Sequence, residues 1–110
     1  MLILGQGPIG LALTRLCALS GAGRLIVTDA REAPFAVSRA YGATECLNVT
    51  ETDVVPAVAG LTGGAGADIV IETSGFPASI NARPRAVWEP TVLILRATIR
   101  VPSGESAKLP

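Results

Sequence analysis

Four apolar residues, Met1-Leu2-Ile3-Leu4, run straight into Gly5-Gln6-Gly7-Pro8-Ile9-Gly10. A short apolar run that stops at a glycine suits a strand buried on both faces of a parallel sheet. From Pro8 onward Ile9, Ala12, Leu13, Leu16, Cys17 and Leu19 recur mostly at intervals of three and four, with Thr14 and Arg15 off that stripe, until Gly21 and Gly23 stop the helix. The glycine spacing therefore falls between a strand and a helix, the context in which G-x-G-x-x-G has a mechanical meaning. Gly5 permits the tight turn, Gly7 lets the backbone approach a diphosphate with no Cβ in the way, and Gly10 allows the helix to lie close on the strand. A dinucleotide's diphosphate would meet the free N–H groups and the positive helix end around Pro8, Ile9 and Gly10. The other reading of the same glycines is a tight strand-to-helix turn that holds no ligand.

The alternation continues. Leu25 to Thr28 is a second buried-strand run ended by Asp29, and Glu32 to Tyr41 reads as a helix closed by Gly42, with Pro34 in its first turn. A short third strand is expected around Cys46 and Leu47. A third helix is expected from Asp53 to Leu61, with Asp53 as N-cap and Pro56 in the first turn. After Gly63, Gly64 and Gly66, Ala67 to Ile71 reads as a fourth strand, with Glu72 to Gly75 as its exit loop. Strands and helices in strict alternation imply parallel pairing with right-handed crossovers, hence an α/β fold with an open, doubly wound parallel sheet, the Rossmann fold. Pro77, Pro84 and Pro90 interrupt the expected fourth helix, and Thr91 to Leu95 recovers a fifth strand. This places one domain over residues 1–95, which need not be complete at both ends. Residues 96–110 are expected to add an edge strand, Ala97 to Val101, and an irregular polar tail.

Asp29 stands 19 residues beyond Gly10, at the end of the second strand, where a carboxylate meets the adenosine ribose hydroxyls of a bound dinucleotide. Its charge opposes a 2′-phosphate, which favours NAD over NADP, and Arg31, two residues on, partly offsets that repulsion. Asp29 could equally cap the helix that follows. Thr73, Ser74 and Gly75 lie at a strand's carboxyl end, where open α/β sheets bind ligands, and an ordinary polar loop explains them as well. Glu72 ends a buried strand beside the same crevice, either as a chemically tuned carboxylate or, more commonly, as one bonded to loop N–H groups. Trp88 reads as a packing residue.

Composition excludes much else. The chain has 110 residues, no His, and nine Lys+Arg against nine Asp+Glu, so no basic footprint for nucleic acid is present. Without His it offers no imidazole base, no Ser-His-Asp arrangement and no His-ligated metal. Cys17 and Cys46 have no CxxC spacing and read as two small buried thiols of a reducing compartment. Arg15 and the early glycines break any signal-peptide reading of the first residues, and no apolar stretch approaches the roughly 20 residues of a membrane span. A cytoplasmic location is the expectation.

Several stretches together carry a family resemblance. LILGQGPIGL resembles the glycine fingerprint of the zinc-type medium-chain alcohol and polyol dehydrogenases, in the form of their sorbitol and threonine dehydrogenase branch. RLIVTDAREAPFAVSRAYGATECLN resembles that family's second-strand Asp, helix and GAT(E) turn, and LTGGAGADIVIETSG its fourth-strand passage. The likeness covers residues 1–76. It implies six parallel strands, NAD(P) as cofactor and hydride transfer between an alcohol and the nicotinamide, with Gly5, Gly7, Pro8, Ile9 and Gly10 at the diphosphate and Asp29 at the ribose. Zinc is expected only in a full-length relative, whose ligands lie mainly in an N-terminal catalytic domain. The family's Pro-Gly-Gly turn before the fifth strand is replaced by Trp88-Glu89-Pro90, and its small, Gly-containing exit by Leu95-Arg96-Ala97. From Ala82 onward the likeness fades, as a gene fragment or altered reading frame would make it. Two other readings compete: an inactive fragment that associates through its last strand, Ala97 to Val101, and an FAD module, since flavoproteins share Gly-x-Gly-Pro-x-Gly-Leu but generally place Glu where Asp29 stands.

Overall fold

In the computed structural model, residues 1–75, 91–94, 98–100 and 106–108 are described. Three helices alternate with the first four strands: β1 (Leu2–Leu4), α1 (Pro8–Leu19), β2 (Ile26–Asp29), α2 (Phe35–Tyr41), β3 (Glu45–Asn48), α3 (Val54–Leu61) and β4 (Ile69–Glu72). Then come β5 (Thr91–Ile94), β6 (Thr98–Arg100) and β7 (Ser106–Lys108). The first five strands form one parallel sheet in the order β3-β2-β1-β4-β5. Neighbours in that order reverse direction of travel between β1 and β4, the topological switch point of a doubly wound sheet, which opens a crevice at the strands' carboxyl ends.

Strand alternation builds two cores. Leu2, Leu4, Ile26 and Val70 face Val54 and Val58 of α3 on one side. Ile3, Val27 and Ile71 face Phe35 of α2 on the other, where Leu13, Cys17 and Ala18 of α1 also pack. Helices therefore cover both faces, as continuous apolar strands require. Phe35 is 2 % exposed and closes the second core, a burial that contributes about 1.5–3 kcal/mol.

Four local expectations shift. The second helix begins at Phe35, not Glu32, because Glu32, Ala33 and Pro34 form a turn in which Phe35 N–H donates to the Glu32 carbonyl at 3.0 Å. β4 spans Ile69–Glu72, two residues later than Ala67 at its start and one residue beyond Ile71 at its end, where Glu72 takes Leu4 of β1 as its register partner. Asp53 occupies the N-cap position of α3 but makes no side-chain capping bond. On α1, Thr14 is fully buried while Leu16 and Leu19 are 58 % and 67 % exposed. The helix turns its small and polar face inward because Gly10 and Thr14 are the residues that must fit against the glycine turn.

The expected sixth parallel strand is not found among the described residues. Thr98–Arg100 pairs antiparallel with Ser106–Lys108 in a separate two-stranded sheet, so within the expected edge strand Ala97 to Val101 the described residues 98–100 do not extend the parallel sheet, and the tail carries a strand. The interrupted fourth helix with Pro77, Pro84 and Pro90, together with Trp88, lies outside the described residues.

Candidate dinucleotide-binding site

The site assembles where β1, β2 and β4 end. Gly5 N–H donates to the Thr28 carbonyl at 2.9 Å, and Gly5 adopts φ +96°, a conformation that a side chain disfavours. A Cβ on Gly5 would also stand 2.8 Å from Ser74 Cα, so the loop after β4 closes directly on the loop after β1. A Cβ on Gly10 would be driven into the Gly5 carbonyl and stand 2.9 Å from Thr73 Oγ1. Gly7 is different. A Cβ there meets nothing within 4 Å. The space above Gly7 is open, and it lies at the N-terminus of α1, whose first-turn N–H groups have no intrahelical acceptors. Two of the three glycines are thus required by packing, and the third faces open space at the start of α1.

Asp29, the last residue of β2, keeps only 10 % of its side chain exposed. Its Oδ2 accepts Gln6 N–H at 2.9 Å, while Oδ1 accepts Arg31 N–H at 2.9 Å and Arg31 Nε–H at 3.2 Å. Burial pushes its carboxyl up, but the bonds from the Arg31 side chain and the two backbone N–H groups outweigh this and hold it below the usual range. Arg31 is largely exposed and its guanidinium is held more firmly protonated by Asp29. A carboxylate offers about four acceptor sites, so three protein donors leave capacity for a ribose hydroxyl. The helix-capping alternative has no support here: Asp29 bonds into the glycine loop and to Arg31, and α2 starts at Phe35.

Gln6, at an unspecified position of the G-x-G-x-x-G spacing, is 1 % exposed and central. Its Nε2 donates to the Gly5 carbonyl at 2.9 Å. Its Oε1 accepts Thr14 Oγ–H at 3.0 Å and Ser38 Oγ–H at 2.7 Å, tying the glycine loop to α1 and α2. Only a polar residue inside an otherwise small and apolar fingerprint hinted at this.

After β4, Thr73 Oγ1 lies 2.9 Å from the Leu4 carbonyl and 3.0 Å from the Gly5 carbonyl, and Thr73 N–H donates to Leu4 at 2.8 Å. Glu72 is 2 % exposed. Its Oε1 accepts from Ser74 N–H, Ser74 Oγ–H and, at 3.1 Å, Gly75 N–H. The structure therefore brings Gly5, Gly7, Pro8, Ile9, Gly10, Asp29, Arg31, Thr73, Ser74 and Gly75 to one end of one sheet. Cys17 and Cys46 are half-buried and free, and burial raises both thiols. Among the described residues no group of three or more His, Cys, Asp or Glu is placed to hold a metal, and no helix is long and apolar enough to cross a membrane.

A three-layer sheet with this glycine loop, and a strand-end acid bonded to it, defines a class, the nucleotide-binding α/β domains. Comparison narrows the class: residues 8–90 match the zinc-binding dehydrogenase family, and the chain belongs to that family. It is 38 % identical over 79 residues to L-threonine 3-dehydrogenase of Bacillus licheniformis, covering 72 % of this chain and 23 % of that one. It is 34 % identical over 80 residues to sorbitol dehydrogenase of Bacillus subtilis, covering 73 % and 23 %. A zinc-binding dehydrogenase structure from Sinorhizobium meliloti, described as bound to NADP, superposes with a TM-score of 0.74 at 32 % identity, over 84 % of this chain and 28 % of that one. The chain thus spans about a quarter of the length of the curated relatives it matches.

Proposed function

We propose that this chain is the NAD(H)-binding domain, or a fragment of it, of a zinc-type medium-chain alcohol or polyol dehydrogenase. The observation that carries the reading is the contrast among the three glycines: Gly5 and Gly10 have no room for a Cβ, whereas Gly7 has only open space before it, beside the start of α1. That is the shape a diphosphate needs, and the N–H groups of the first helical turn supply its donors. Asp29, held ionised and partly open at the end of β2, takes the adenosine ribose and repels a 2′-phosphate, which supports NAD over NADP. Arg31 lies on the same carboxylate and weakens that repulsion without removing it. The chemistry that NAD supplies when bound is acceptance of a hydride from an alcohol carbon. The residues named here bind and orient the adenosine diphosphate half. Activation of the alcohol on zinc is left to residues outside this sequence, which has no His, and the chain by itself is expected not to turn over substrate.

Calorimetric titration with NADH, NADPH and ADP-ribose, for the chain and for Asp29→Ala, tests this. NADH and ADP-ribose are expected to bind alike, NADPH about tenfold or more weaker, a gap of about 1.4 kcal/mol, and Asp29→Ala to close that gap. A folded chain that binds none of the three, or turnover of sorbitol, threonine or a simple alcohol by the chain alone, would overturn the reading. A flavin-coloured preparation would replace it with the FAD module.

A further inference from the structure

Glu72 is the most deeply buried carboxylate beside the site, and its two oxygens are used very differently. Oε1 gathers three donors from the loop that follows it, Ser74 N–H, Ser74 Oγ–H and Gly75 N–H. Oε2 is buried and has no hydrogen-bond partner among the described residues. A buried acceptor left without a donor is unfavourable, so a carboxylate here needs an offsetting role. The apolar alternative was open, because Glu72 shares its strand face with Val70 and pairs in register with Leu4.

The consequence of the Oε1 bonds is a sharp fold-back of residues 73–75 over the switch point. That fold-back puts Ser74 Cα against Gly5 and Thr73 Oγ1 against the carbonyls of Leu4 and Gly5. The glycine loop is thereby pinned from the β4 side, while Gln6 and Asp29 pin it from the β2 and α2 side. We infer that Glu72 is a positioning residue for the diphosphate: it braces the 73–75 loop against Gly5, so that the glycine turn presents its N–H groups in the binding geometry before ligand arrives. What the brace needs is a buried acceptor at Oε1, the one atom on which three donors from the loop converge. The effect of Glu72 is thus on pre-organisation, which sets affinity by lowering the ordering cost of binding.

This inference rests on the dinucleotide reading, and the experiment separates the two. Glu72→Leu and Glu72→Gln would be compared with the unaltered chain for binding of ADP-ribose, which needs the diphosphate cradle, and of adenosine, which needs only the Asp29 side. Hydrogen exchange of the Thr73, Ser74 and Gly75 amides would be followed in the same samples without ligand. Glu72→Leu is expected to speed exchange at Ser74 and Gly75 at least tenfold and to weaken ADP-ribose by tenfold or more, with adenosine changed less than threefold. Glu72→Gln, which keeps an acceptor at Oε1, is expected to restore ADP-ribose binding to within about threefold of the unaltered chain. Equal losses for both ligands, or unchanged amide protection in Glu72→Leu, would overturn the brace. If the unaltered chain binds no ADP-ribose, the dinucleotide reading fails and takes the diphosphate role of Glu72 with it, while exchange still reports whether Glu72 holds the loop.

Discussion

Gly7 and Gly10 have opposite surroundings in the fold. A methyl group at Gly10 would meet the Gly5 carbonyl and Thr73, backbone and side chain that are themselves bonded in place, whereas one at Gly7 would enter open space. Gly10→Ala is therefore expected to destabilise the chain by about 1–3 kcal/mol or more, as overpacking does, seen as a lower urea midpoint. Gly7→Ala is expected to leave the urea midpoint nearly unchanged and to weaken ADP-ribose by at least tenfold. A Gly7→Ala chain with full affinity would remove the diphosphate from its assigned place. Asp29 was legible at this scale because its position at a strand end is set by neighbours within a few residues. Gln6 was not, since its partners Thr14 and Ser38 lie 8 and 32 residues away.

Among elements, α1, α2 and the loop after β1 are joined by that one buried amide. Thr14 also reaches the Gly10 carbonyl at 2.8 Å and Ser38 the Pro34 carbonyl at 3.0 Å, the back-bonding geometry of helical hydroxyls. Removing the amide leaves these alternatives to the hydroxyls and Thr73 Oγ1 to the Gly5 carbonyl, but it takes away the shared acceptor and opens a hole at the helix junction. Gln6→Ala is expected to cost about 2–4 kcal/mol, a buried hydrogen-bond loss plus a cavity. The check is chemical denaturation, with Thr14→Val and Ser38→Ala as singles. Each single is expected to cost less than Gln6→Ala, and no loss in the Gln6 variant would show that the network is ornamental. Element types were mostly readable because apolar runs and glycine stops are local. Element edges were not: β4 extends to Glu72 because Leu4 supplies a register partner, and α1 exposes Leu16 and Leu19 because Gly10 and Thr14 claim the inner face.

At the scale of the molecule, the candidate site draws on residues 5 to 75, so it exists only when β1, β2 and β4 are aligned together. A ligand that binds there binds the folded chain alone. At a concentration 100 times its dissociation constant ADP-ribose is expected to add about 2.7 kcal/mol of stability, read as an increase in the urea midpoint that disappears in Gly7→Ala. Persistence of the shift in that variant would mean that ADP-ribose stabilises the chain from somewhere else.

What the amino-acid order determined by itself was local and periodic: buried strands from uninterrupted apolar runs, helices from spaced ones, a turn from three glycines, and an acid at the end of the second strand. Family membership followed from the same signals in the right sequence. Only the tertiary structure decided what Gly5 and Gly10 pack against, because Ser74 and Thr73 arrive beside them from more than 60 residues away. It also decided that residues 98–100 leave the parallel sheet to pair with 106–108, since strand pairing is chosen by register and partner and not by the strand's own composition. Contacts between distant segments carry no period in the sequence, and the functional distinctions at this site are made of such contacts.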